Sequence, residues 1–206
     1  MNLSALQEDA LIELINIGFG RAAAALSKLT GHRVQLEVPQ IAMCPIDEMA
    51  DRLRPLLDND VATVHQIFSG PVGGDALLVL DFKAAGMLKE LLTNEPPLPL
   101  PIDASGREVL TEVGNILLNA CLGTFGNILQ VQVSFSVPHL NLDTLNAVMR
   151  SLLVNREGLR YALVVHAGFK LRDAEVKGYL VIVLSVASLD RLIRAVEAWE
   201  HEAGRL

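Results

Sequence analysis

Asp9-Ala10-Leu11-Ile12-Glu13-Leu14-Ile15-Asn16 and Glu108-Val109-Leu110-Thr111-Glu112-Val113-Gly114-Asn115 are two versions of one stretch. In each, an acid, a glutamate and an asparagine stand at i, i+4 and i+7, which on a 3.6-residue helix is one narrow stripe. A proline follows each asparagine by 23 positions, Pro39 in one copy and Pro138 in the other. The two glutamates, like the two asparagines, are 99 residues apart. This spacing reads as an internal duplication carrying two copies of one site.

Working outward, each stretch lies in a long helix. Ser4-Ala-Leu-Gln7 has the spacing of a capping box, so the first helix should start there, run to about Thr30 and stop at Gly31. The run Ala22 to Ala25 suits close approach to a neighbour. Residues 34–38 alternate as a half-buried strand that should end at Pro39, and 46–53 read as a short helix limited by Pro55. Residues 61–68 and 76–80 read as strands around a glycine-rich turn, and 83–92 as an amphipathic helix. Pro96, Pro97, Pro99 and Pro101 make 94–104 a stiff connector.

Beyond the connector the pattern recurs. Ser105 and Glu108 offer a second capping box and a second long helix; 131–137 alternate as a strand ending at Pro138, and 142–153 read as a helix. Strands at 161–169 and 178–184 and a helix at 188–202 complete the half. The expected fold is α+β: one domain over 1–206, built of repeats at about 1–93 and 105–206 with pseudo-two-fold symmetry. A six-stranded, mostly antiparallel sheet would carry the two long helices on one face. Their polar stripes would face solvent.

The chain's 206 residues, 51% of them hydrophobic, are enough for one sizeable core. A formal charge of −7 argues against nucleic acid as the main partner. Cys44 and Cys121 are too few and too far apart for a disulfide framework, which fits a reducing cytoplasm. No basic leader is evident, and no apolar run reaches about 18 residues without a charge, so no membrane partner is expected.

A polar stripe on one amphipathic helix is ordinarily its solvated face. Repetition changes that weight, because solvated faces drift while Glu, Asn and the remote Pro keep one spacing here. Asparagine is also a poor mid-helix residue, costing several tenths of a kcal/mol against alanine. Two of them at matching positions need a reason.

Asp9-xxx-Glu13-xx-Asn16 with Pro39, and Glu108-xxx-Glu112-xx-Asn115 with Pro138, resemble the (Asp/Ser)-xxx-Glu-xx-Asn-x22-Pro signature of the CheC/CheX/FliY phosphatases of bacterial chemotaxis. The run Asn16-Ile-Gly-Phe-Gly-Arg-Ala-Ala-Ala-Ala-Leu-Ser27 resembles the CheC-like branch, and the likeness covers essentially the whole chain. Glu108 departs from the pattern, which has Asp or Ser there. The resemblance implies hydrolysis of the phospho-aspartate of a CheY-type response regulator, which brings its own Mg²⁺; no cofactor would be bound by this chain. It implies that Asn16 and Asn115 position the attacking water, that Glu13 and Glu112 dock the regulator, and that Asp9 and Glu108 add peripheral contacts. The alternative it implies is a non-catalytic adaptor binding a CheD-type deamidase or a response regulator.

The remaining candidates give bland readings. The five histidines show no metal-ligand spacing. Gly18-Phe-Gly20 lies inside a helix, where close packing explains it better than phosphate binding. Cys44 and Cys121 have no partners suggesting nucleophilic work, and the two prolines suit strand ends.

Overall fold

The computed structural model describes residues 3–93, 102–128, 130–155, 158–171 and 174–203. Helix α1 (Ala5–Thr30) begins with the reciprocal bonds its sequence offers. Gln7 N donates to Ser4 Oγ at 3.2 Å, and Ser4 N donates to Gln7 Oε1 at 2.8 Å. Gly31 ends the helix at φ +70°, where a side chain would be strained, and donates its N–H to Ser27 O.

Strand β1 (Val34–Pro45) leads through a 3-10 turn (Ile46–Glu48) into α2 (Met49–Leu53). The hairpin β2 (Asp60–Ser69) and β3 (Gly74–Asp81) is followed by α3 (Phe82–Thr93). Most of the proline-rich connector, 94–101, lies outside the described residues. Then come α4 (Ala104–Ile128), β4 (Ser134–Phe135), β5 (His139–Thr144), α5 (Leu145–Asn155), β6 (Leu159–Leu171), β7 (Ala174–Ser185) and α6 (Val186–Ala203).

Every pairing among these strands is antiparallel, in the order β1-β6-β7-β3-β2, with β4 and β5 sharing the far edge beside β2. The fold is therefore the expected α+β sheet of six columns, the last made of two pieces. The order reads the same from either edge. The first strand of each half pairs with the hairpin of the other half, β1 on β6 and the two-piece strand β4 and β5 on β2. At the centre β3 meets β7, with Leu77 opposite Val181.

Two cores result. One face of the sheet carries α1, α4, α3 and α6, with Leu14, Phe19, Leu117, Phe125 and Ile193 in the same buried cluster. The other is covered by α2 and α5 through Met49, Leu53, Val148 and Leu152. By length and composition α1 and α4 could each cross a bilayer. In this fold they pack on each other and lie among the buried core.

Four local expectations are corrected. Pro39 does not end its strand: β1 runs on to Pro45, with the register shifting between Glu37 and Gln40. Proline is tolerated there because β1 is an edge strand and the ladder is already broken by a bulge. Likewise the strand of the second half resumes after Pro138, so 139–144, expected partly as helix, is β5 and the helix starts at Leu145. Ser136 stitches this break: its N–H donates to Ile67 O, and its hydroxyl oxygen accepts from Ile67 N at 2.9 Å. The expected strand at 131–137 shrinks to Ser134–Phe135 because the residues before it close off α4. Gln130 takes φ +52°, and Val131 N donates to Gly126 O at 3.0 Å.

The fourth correction concerns the start of α4. Asp103, not Ser105, caps it, its Oδ1 accepting from Gly106 N at 2.8 Å. Ile102, just ahead of it, is buried and fixes the chain's entry two residues early. Glu108 is thereby one turn past the cap position and exposed.

Candidate functional site

Helix α1 inserts Leu11, Leu14, Ile15 and Phe19 fully into the core. That orientation leaves Asp9, Glu13 and Asn16 exposed together on the outer face. Helix α4 buries Leu110, Val113, Leu117 and Leu118 in the same way and exposes Glu108 and Glu112. Asn115 is only half exposed. The stripes read from the sequence exist, but they are not identical.

The difference lies one turn further on. Asn119 Nδ2 donates to Asn115 Oδ1 at 2.7 Å, so the second asparagine is held by its own helix. The corresponding position in α1 is Gly20, where an added Cβ would meet nothing within 4 Å. Asn16 therefore has open space beside it. Gly18 behaves differently: a Cβ there would lie 2.9 Å from Cys121 Cα, so this glycine lets α1 and α4 approach closely. Of the alanine run expected to mediate that approach, only Ala22 is buried. A polar link adds to the packing, with Arg21 Nη1 donating to Thr124 Oγ1 at 3.4 Å.

The remote proline comes back to the stripe in the second half. Glu108, Thr111 and Glu112 of α4 face Pro138, His139 and Leu140 across a shallow groove of 570 Å³. Arg107 Nη2 donates to Leu140 O at 3.3 Å and ties the helix to the edge strand. In the first half α1 packs on β1, and a smaller hollow of 380 Å³ wraps this edge, from Glu8 and Ile12 on the α1 side to Gln40, Val164, His166 and Tyr179 on the other face. The sequence spacing linked each stripe to a proline; the edge-strand breaks are what place the chain after those prolines beside the helices.

Sequence reasoning missed a polar groove of 550 Å³ around Thr63, His65, Asp75, Asn141 and Asp143. There His65 Nε2 and Asp75 Oδ1 share a hydrogen bond of 2.7 Å, the acid buried. Alternation along β2 and β3 could have put both side chains on one sheet face, but only their register brings them together. His166 stacks on Tyr179, with ring centroids 5.0 Å apart, and burial holds its pKa below the ordinary histidine value. Burial pushes both the Cys44 and the Cys121 thiols up, against nucleophilic use of either. Among the described residues, no group of three or more His, Cys, Asp or Glu is placed to hold a metal ion.

No family model matches the chain. It is 28% identical over 199 residues to the CheY-P phosphatase CheC of Bacillus subtilis (strain 168), covering 93% of this chain and 94% of that protein. It is 25% identical over 119 residues to the flagellar motor switch phosphatase FliY of the same organism, over 58% of this chain and only 28% of that longer relative. Among solved structures, FliY of Thermotoga maritima superposes with a TM-score of 0.77 at 18% identity, covering 96% of this chain and 99% of that one. These likenesses support the resemblance to the CheC/FliY family that the paired motifs carry.

Proposed function

Starting from this likeness to the CheC/FliY family, we propose that the chain is a cytoplasmic phosphatase that hydrolyses the phospho-aspartate of a CheY-type response regulator. The observation that carries the reading is the exposed trio Asp9, Glu13 and Asn16, fixed on a helix whose opposite side is buried. A side chain on such a support can hold a small molecule in line without first paying for order.

Phosphoryl transfer needs positioning and charge stabilisation more than covalent help. The regulator supplies the acyl phosphate and its Mg²⁺. Asn16, or Asn115 in the second copy, accepts a hydrogen bond from a water and turns the lone pair of that water toward phosphorus. The water oxygen bonds to phosphorus as the bond to the aspartate oxygen breaks. Inorganic phosphate leaves with both hydrogens of the water, one still on the attacking oxygen and one passed to another phosphate oxygen, and the carboxylate is restored. Glu13 and Glu112 pair with a cation on the regulator, and Asp9 and Glu108 add outer contacts. The deciding experiment is the decay rate of phosphorylated regulators from the same cell, with and without this protein. An unchanged decay rate for all of them would overturn the reading.

Replacing Glu13 and Glu112 by lysine should raise the regulator concentration needed for half-maximal rate by about tenfold, since reversing a docking charge replaces attraction with repulsion. The penalty should shrink as salt rises toward molar concentrations, where exposed charges are screened within about 3 Å. Titrations at two salt concentrations test this. The two copies should also be unequal. Asn16 is exposed, while Asn115 is half-buried and already hydrogen-bonded, so Asn16→Ala should cost more activity than Asn115→Ala in single-variant decay assays.

A further inference from the structure

We propose that Asn119 is a positioning residue that acts as a brake on the second site, and that Gly20 is the reason the first site lacks one. This rests on reading Asn115 as the water-orienting group. An attacking water must present a lone pair to phosphorus, so what the protein holds is one of its hydrogens. The end of the amide that can hold a hydrogen is Oδ1; the Nδ2 end only donates. Asn119 Nδ2 already donates to that oxygen at 2.7 Å. The carbonyl is thus turned along the helix toward the next turn. Because Oδ1 has a second lone pair, the brake slows the site without closing it.

The fold bears a cost for this contact. Asn119 Oδ1 is buried with no hydrogen-bond partner, although buried polar atoms in proteins are nearly always paired. An apolar side chain would avoid that penalty, so general stability does not account for an asparagine at 119. At the matching position of α1, Gly20 has no side chain and faces open space, so no amide can reach Asn16 from one turn on. The same change of residue therefore separates a free asparagine from a latched one.

The test uses the full chain and a phosphorylated regulator, reading out both the maximal rate and the concentration for half-maximal rate. In an Asn16→Ala background only the second site acts. Adding Asn119→Ala should raise the maximal rate about fivefold, the effect of one ordinary hydrogen bond, with half-saturation unchanged because docking groups are untouched. Conversely, in an Asn115→Ala background, Gly20→Asn should lower the maximal rate of the first site about fivefold, while Gly20→Ala should not. A purely structural role for Asn119 would lower the rate on its removal, together with the melting temperature. No gain, or a loss, from Asn119→Ala in a chain that otherwise accelerates decay would overturn the brake alone. A wild-type chain that leaves decay unchanged would overturn the phosphatase reading and the brake with it.

Discussion

Replacing Asn16 and Asn115 together by alanine should reduce the protein's acceleration of regulator dephosphorylation by about 100-fold, the scale of loss when a reacting group is no longer held in line. The double variant should still bind, because Glu13 and Glu112 remain exposed on the same helix faces. It should also fold. Alanine is the better helix former by several tenths of a kcal/mol, and neither asparagine is among the core residues. Asn115 gives up its bond from Asn119, a net contribution of about 1 kcal/mol at a partly exposed position. The expected result is a melting temperature within a few degrees of wild type, a competent competitor for regulator binding, and decay close to the unassisted rate. Full activity in the double variant would remove asparagine from the mechanism, whatever the homologues do.

Gly114→Ala should produce the largest loss of stability among single conservative changes near the second site. Gly114 sits directly before Asn115 and is buried where α4 crosses β2. A Cβ there would fall inside the Val64 side chain, well under van der Waals contact. Val64 cannot step aside easily. It is a stiff β-branched residue, 1% exposed, in a strand paired on both edges. The helix must lift instead, at a cost of about 1–3 kcal/mol. For a chain of this size that is a drop of about 2–4 °C in melting temperature per kcal/mol. Because α4 carries Asn115, Glu112 and Glu108, the second site should lose activity while the first keeps it. Adding Val64→Ala should recover part of the loss, since neighbours sharing one space are not additive. Gly20→Ala provides the contrast. With nothing within 4 Å of the new Cβ, it should stabilise the helix by about 0.5–1 kcal/mol.

The sequence by itself determined what depends on neighbours along the chain. The start of α1 is written in Ser4 and Gln7 and its end in Gly31, because each of those groups satisfies a backbone partner within four residues. Both stripes were legible for the same reason: the period of a helix places i, i+4 and i+7 together wherever the helix lies. The runs that became β2, β3, β6 and β7 read as strands for equally local reasons, β2 and β3 around their glycine-rich turn. Tertiary structure decided everything that depends on which strand lies beside which. Pro39 and Pro138 interrupt strands without ending them because the exchange of first strands between the halves puts β1 and β5 on the two edges, where a missing donor and a broken ladder are tolerated. His139–Thr144 is a strand because β2 offers it a partner from His65 to Asp60. His65 and Asp75 meet through the register of one hairpin. The inequality of the two sites needed both levels: the spacing placed Asn119 one turn from Asn115, and burial of its far end held the two amides in contact. Side-chain periodicity is a property of a segment alone, whereas edge, register and burial are properties of pairs of segments far apart in the chain.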